Sequence, residues 1–311
     1  MRILVNDREV DVTLEQEKTL GEVVVGMAGW LEDSGYVITS LVKDGVTLGL
    51  PEKSSWEGLN IEEVGNLNIY SKLYWEAELD DYLQILDFLN RLHNGVSREK
   101  QDYLEDSLAE ERQAYLAVNR IASPSSEIVE SPDNTVLFTL TAELAGMMQE
   151  PGSKGKKDQL LNLIHMYIII INERIQEIHH PLEEFTALAD LIMKTVDRIN
   201  DVSILLQTGK DREAMESIIL FTELSQKIIR LYPLLIQKQL LSPEDAVIEG
   251  RPLTDFYTDL NTVLGEMLEA FQSQDSVLLG DLLEYEVSPR LVKLAGFIRK
   301  VNPDYSKGAD I

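Results

Sequence analysis

The stretch Leu59-Asn60-Ile61-Glu62-Glu63-Val64-Gly65-Asn66-Leu67-Asn68-Ile69 decides the fold. Apolar residues at 59, 61 and 64 lead through a polar turn into Leu67 and Ile69, which alternate with Asn66 and Asn68. Period-two alternation is the signature of a strand with one buried face. A few residues later the period changes. From Glu76 onward, Leu79, Tyr82, Leu83, Leu86, Leu89 and Leu92 recur at helical spacing. A sheet therefore closes near Ile69, and a helical protein begins.

Working back from residue 59, Trp56 joins the same apolar set. Asp44-Gly45 is a hairpin turn signal between the β-branched run Tyr36–Lys43 and a short return strand, Val46–Leu50. Before these, Leu20, Val23, Val24, Met27, Trp30 and Leu31 mark one apolar helix face, ended by Gly35. Thr19 and Glu22 have the spacing of a capping box. At the N-terminus, Ile3 and Val5, then Val10, Val12 and Leu14, alternate on either side of the turn Asn6-Asp7-Arg8-Glu9. The order is strand, strand, helix, strand, short strand, closing strand, which buries one helix on one sheet.

This order, and the turn and last strand over 59–69, resemble the β-grasp fold of ubiquitin and its relatives across residues 1–72. Modifiers and sulfur carriers of that family act through a free C-terminal Gly-Gly. Here the strand runs on through Ser71-Lys72-Leu73-Tyr74-Trp75 into helix. The resemblance therefore implies not a conjugated domain but a docking domain or, equally, a domain that only covers one end of the helical part.

Beyond residue 72 the expected fold is all-helical. A hairpin and linker occupy 73–150, and an antiparallel helical bundle occupies 151–311. The first helix is expected to stop at Asn94-Gly95. A second starts at Ser97 and carries Tyr103, Leu104 and Leu108, followed by a Ser/Pro-rich linker over 123–133 and a short helix to Gln149. Helices then span 158–179, 181–208 and 211–240. Ser242 opens a short helix, Thr254 a longer one, and Asp275 the last. The segments 203–221 and 266–285 read as a weak repeat at an offset of 64, pairing Asp211 with Asp275 and Phe221 with Tyr285. The overall class is α+β, a β-grasp followed by antiparallel hairpins. The helical part resembles, in class, the antiparallel helical chaperones of bacterial flagellar export.

Composition narrows the function. The chain carries 54 acidic and 28 basic residues, a net charge of −26. Such a surface opposes nucleic acid and anionic membrane as partners. There is no cysteine, so disulfides and thiolate chemistry are excluded, and the expected location is the cytoplasm. The longest apolar run, Leu160–Ile171, rises only about 18 Å as a helix, too short to span a bilayer.

No catalytic set emerges. Glu177 and His180 form a Glu-x-x-His, but a di-iron bundle needs a second one, and none of the four histidines supplies it. The string Gly152-Ser153-Lys154-Gly155-Lys156-Lys157 lacks the strand and the Ser/Thr of a phosphate loop. No enzyme activity, metal or cofactor is expected. The reading is a protein–protein interaction adaptor, with Tyr74, Trp75, Tyr82, Phe221 and Tyr285 as candidate interface residues and with self-association left open. The alternative is a secretion chaperone that holds a partner helix in a groove.

Overall fold

A computed structural model describes residues 1–14, 16–98 and 154–301. The chain divides into two compact units, Met1–Ile175 and Gln176–Ile311. The architecture is α+β, a mixed five-stranded sheet carrying one helix, followed by helices. The expected helix from Ser97 onward, the Ser/Pro linker, the short helix to Gln149 and the residues before Lys154 fall largely or wholly outside the described residues.

The first unit opens with β1 (Arg2–Val5) and β2 (Arg8–Glu9), then α1 (Leu20–Asp33), β3 (Tyr36–Lys43), β4 (Val46–Leu48) and β5 (Asn66–Leu73). The sheet order is β2-β1-β5-β3-β4. β5 lies in the middle, parallel to β1 and antiparallel to β3. Asn6 and Asp7 turn β1 into β2 with positive φ, as do Asp44 and Gly45 between β3 and β4. Left-handed residues of this kind give the primed turns that match strand twist. The capping box at Thr19 and Glu22 forms as its spacing predicts.

The second strand is shorter than the alternation at Val10, Val12 and Leu14 predicts. β2 pairs with Leu4 and Val5, the Val10 amide still donates to the Ile3 carbonyl at 3.1 Å, and Val12 is left exposed. Beneath the sheet, Leu20, Met27, Leu41, Leu67 and Ile69 share one core with Trp56, whose indole N–H donates to the Gly49 carbonyl at 2.8 Å.

β5 passes straight into α2 (Tyr74–Arg98). The Tyr74 amide donates to the Gly35 carbonyl at 3.0 Å, and the Leu73 amide donates to the Glu76 carboxylate at 3.1 Å. Lys72 pairs with Asp80 across the junction. α2 then packs through Phe88, Leu89, Leu92 and Val96 against Leu160 and Ile164 of α3 (Lys154–His179). This packing explains why the helix does not stop at Asn94-Gly95. Leu92 and Val96 are fully buried on either side of Gly95. Burying two such side chains outweighs the cost of about 1 kcal/mol of a helical glycine.

In the second unit, α4 (Pro181–Asn200) packs against both α6 (Asp211–Gln237) and α9 (Ser288–Val301), with the short α5 (Val202–Gln207) turning between α4 and α6. Pro181 takes the first helical position after His180, where its missing N–H costs nothing. Phe185 and Phe221 are fully buried. Thr186, Thr195, Ser217 and Ser225 are buried as well, each hydroxyl donating to the carbonyl four residues earlier. Both oxygens of buried Glu177 accept from Arg230 at 3.2 Å, and Lys227 bonds Glu184 at 2.6 Å.

Three sequence expectations fail here. Ser242 opens a turn rather than a helix, and a small hairpin follows: β6 (Val247–Ile248) and β7 (Arg251–Pro252), turned by Glu249 and Gly250 at positive φ. After α7 (Leu253–Gln272), Asp275 does cap α8 (Ser276–Asp281), but the helix widens into a π turn over Leu282–Val287 before α9. Pro289 accounts for this. It cannot donate to the Tyr285 carbonyl, and its ring would crowd that group in a regular α-turn.

The repeat also dissolves. Thr208-Gly209-Lys210 and Ser273-Gln274-Asp275 have matching hydrogen bonds at an offset of 65, not 64. The same closure recurs at Lys238-Gln239-Leu240, so it is a general helix end. Phe221 is core while Tyr285 is exposed.

Two glycines on adjacent elements give opposite expectations. A Cβ on Gly280 would lie 2.7 Å from Ser203 Cβ, whereas one on Gly265 would meet nothing within 4 Å. Gly280→Ala is expected to destabilise the second unit by about 1–3 kcal/mol. Gly265→Ala is expected to gain up to about 1 kcal/mol. Urea titrations followed by far-ultraviolet circular dichroism measure both, and equal midpoints would refute the close packing.

Candidate docking surfaces

The outer side of α1 is unusually bare. At about 3.6 residues per turn, Val25, Gly29, Gly26 and Trp30 follow one another around the helix. Val25 and Trp30 are exposed, Trp30 at 53%. A Cβ on Gly26 or Gly29 would meet nothing within 4 Å. The result is a strip of naked backbone between two apolar side chains, edged by exposed Glu22 and Asp33. Trp30 therefore corrects the expectation that placed it on the buried face. It sits on the shoulder of the stripe formed by Leu20, Val23, Met27 and Leu31, too far round to reach the sheet. A shallow groove lined by Glu17, Glu22, Val25, Lys53 and Glu57 adjoins this strip.

Of the candidate interface residues, Tyr74, Trp75 and Tyr82 lie where β5 becomes α2. Tyr74 and Trp75 are half-buried, and the Trp75 indole nitrogen is itself shielded from solvent. Burial, with Glu78 and Glu32 nearby, raises the Tyr74 phenol above its ordinary pKa. Tyr82 is buried, and its hydroxyl bonds the Glu78 carboxylate at 3.1 Å. It is part of the joint rather than of the exposed surface. Phe221 is also corrected: it has no exposed area and serves as a core residue of α6.

Tyr285 stands out from the π turn at 65% exposure. Its hydroxyl bonds Glu284, which raises its pKa. On the neighbouring α8, Val277 and Leu278 are exposed, as are Leu268 and Phe271 on α7. Sequence reasoning placed none of these four in an interface. The usable signal was a second apolar row on α7: Leu264, Leu268 and Phe271 run at i, i+4, i+7 beside the buried row Leu260, Val263, Met267 and Ala270.

The Glu177–His180 pair resolves into separate roles. Glu177 faces Arg230, and His180 is an exposed helix cap. Among the described residues no three His, Asp or Glu side chains are grouped to hold a metal ion, and no helix is long and apolar enough to cross a membrane.

Two carboxylates of the first unit are held in their ionised form by backbone amides. Glu22 accepts from the Lys18 and Thr19 amides, which holds its pKa below the ordinary carboxylate range. Asp44 accepts from the Asn66 amide at 2.7 Å and from the Gly65 amide, with Lys43 beside it, and is lowered for that reason.

Two family models match the chain. Residues 1–72 match one described as the TP0873 N-terminal domain, and residues 183–296 match one described as a domain of unknown function (DUF8042). No curated protein and no solved structure matches the chain.

Because the folded state favours ionised Glu22 and Asp44, their contribution to stability is complete above the ordinary carboxylate pKa. It disappears as the pH falls through their lowered values. All three tryptophans, Trp30, Trp56 and Trp75, lie in the first unit, so their fluorescence reports on it. The urea midpoint by fluorescence is expected to hold down to about pH 5 and to drop progressively below it. Glu22→Gln with Asp44→Asn should flatten that drop, and an unchanged slope in the double variant would refute the assignment.

Proposed function

We propose that this chain is a non-enzymatic adaptor of the cytoplasm, using its β-grasp and its helical surface as docking faces for other proteins. One observation carries the reading, the strip formed by Val25, Gly29, Gly26 and Trp30 on α1. A glycine inside a helix costs up to about 1 kcal/mol relative to alanine. Gly21 has an internal reason for that cost, since a Cβ there would lie 2.9 Å from the Glu57 carbonyl oxygen. Gly26 and Gly29 have no such neighbour. Bare backbone beside an exposed tryptophan suits close approach by a partner segment, and aromatic anchors dominate protein interfaces. The match of residues 1–72 to a named N-terminal domain family is consistent with a module of its own.

The test sets stability against binding. Gly26→Ala with Gly29→Ala should raise the urea midpoint of the first unit while weakening capture of partners from a lysate of the native cell. Trp30→Ala should weaken capture with little change in stability. Retained capture by both variants would remove α1 as a docking face. A single stoichiometric secreted subunit among the captured proteins would favour the chaperone reading instead.

A further inference from the structure

The edge formed by α7, α8 and the π turn combines two properties. The first is charge. Residues 253–287 contain eight acidic side chains and no Lys, Arg or His. Asp259 is neutralised by Arg251, and Glu286 by Arg290. Asp255, Glu266, Glu269 and Asp281 have no ion pair among the described residues. The second is apolar exposure at Leu268, Phe271, Val277, Leu278 and Tyr285.

The local geometry gathers these residues. Leu268 and Phe271 lie on the last turns of α7, and the chain reverses through Ser273-Gln274-Asp275, with the Asp275 amide donating to the Ala270 carbonyl at 2.9 Å. Asp275 then caps α8 by accepting from the Leu278 amide at 3.0 Å. Val277, Asp281 and Tyr285 follow at intervals of four. In a regular α-helix a spacing of four drifts round the axis; the wider π turn takes out part of that drift and keeps Tyr285 on the side of Val277. Close contact between Gly280 and Ser203 of α5 holds the opposite side of α8 to the rest of the unit.

The geometry points to a docking site for a basic amphipathic helix on this edge, its apolar face on Phe271 and Leu278 and its lysines or arginines among Glu266, Glu269 and Asp281. This deepens the adaptor reading and rests on it. Charge complementarity selects the occupant. A segment with Lys or Arg beside an apolar stripe satisfies both features at once. A second copy of this chain does not, because an isologous contact would set the same unneutralised carboxylates against each other. Nucleic acid and anionic lipid are repelled by the same carboxylates.

The test uses the full chain and a fluorescein-labelled synthetic peptide of lysine and leucine, with leucines at helical spacing, followed by anisotropy. One-to-one binding is expected, weakening as salt rises. Phe271→Ser with Leu278→Ser should raise Kd by about tenfold or more. Both residues are exposed, and circular dichroism confirms that the variant is folded. Glu266→Gln, Glu269→Gln and Asp281→Asn together should weaken binding and remove most of its salt dependence. Equal binding of a scrambled peptide would reduce the effect to net charge and overturn the proposal. So would an unchanged Kd in the serine variant, or a dimer of the wild type that this variant abolishes. Trp30→Ala is expected to leave peptide binding unchanged, so a failure of the α1 docking face and a failure of this edge are read separately.

Discussion

β5 is the constraint on which the first unit depends. It is the central strand of the sheet, parallel to β1 on one side and antiparallel to β3 on the other, and it continues without a break into α2. Its position is set at the start by Asp44, whose carboxylate accepts from the Gly65 and Asn66 amides. A Cβ on Gly65 would lie 2.8 Å from that carboxylate, which would have to shift to admit one. At the far end, Gly35, Glu76 and the Lys72–Asp80 pair fix the turn from strand to helix. A flexible linker would be rich in Gly, Ser or Pro. Here the Leu73 and Tyr74 amides both have partners at the crossing, and the direction of the strand sets the direction of the helix.

Local signals that lie within a few residues of one another were readable in the sequence. The Thr19–Glu22 capping box, the Asp44-Gly45 turn, the Pro181 helix start and the strand order depend on neighbours along the chain, and all are present. What misled was whatever depends on distant partners. The helix crosses Gly95 because Leu92 and Val96 find α3. Phe221 and Tyr285 look alike in sequence, and only packing makes one core and the other surface. Two signals were present but unread. Glu249-Gly250 lies between β-branched residues and a proline, and Pro289 stands four residues after Tyr285, where it disfavours a regular turn.

The candidate surfaces were less legible than the fold for a related reason. Apolar periodicity marks burial, so Trp30 was absorbed into the stripe of α1 and the row Leu264, Leu268 and Phe271 into the general helicity of α7. An exposed anchor sits on the shoulder of a buried stripe, about one position round the helix from residues that face the core. Periodicity has no resolution at that angle. The glycines carry the information instead, but only once their surroundings are known. Gly21, Gly65 and Gly280 are each pressed against another element, whereas Gly26 and Gly29 face open space.

A net charge of −26 gives these exposed apolar groups a common setting. Hydrophobic side chains left on a surface invite contact with any similar surface, including another copy of the same chain. Unneutralised carboxylates around them add a repulsion that acts over roughly 8–10 Å at moderate salt, farther than apolar contact reaches. Glu22 and Asp33 share the exposed side of α1 with Val25 and Trp30, and Glu266, Glu269 and Asp281 share the exposed sides of α7 and α8 with Leu268, Phe271 and Leu278. The same carboxylates attract any segment that brings its own positive charge. Apolar contact then supplies the affinity, and the carboxylates decide which segments come close enough to make it.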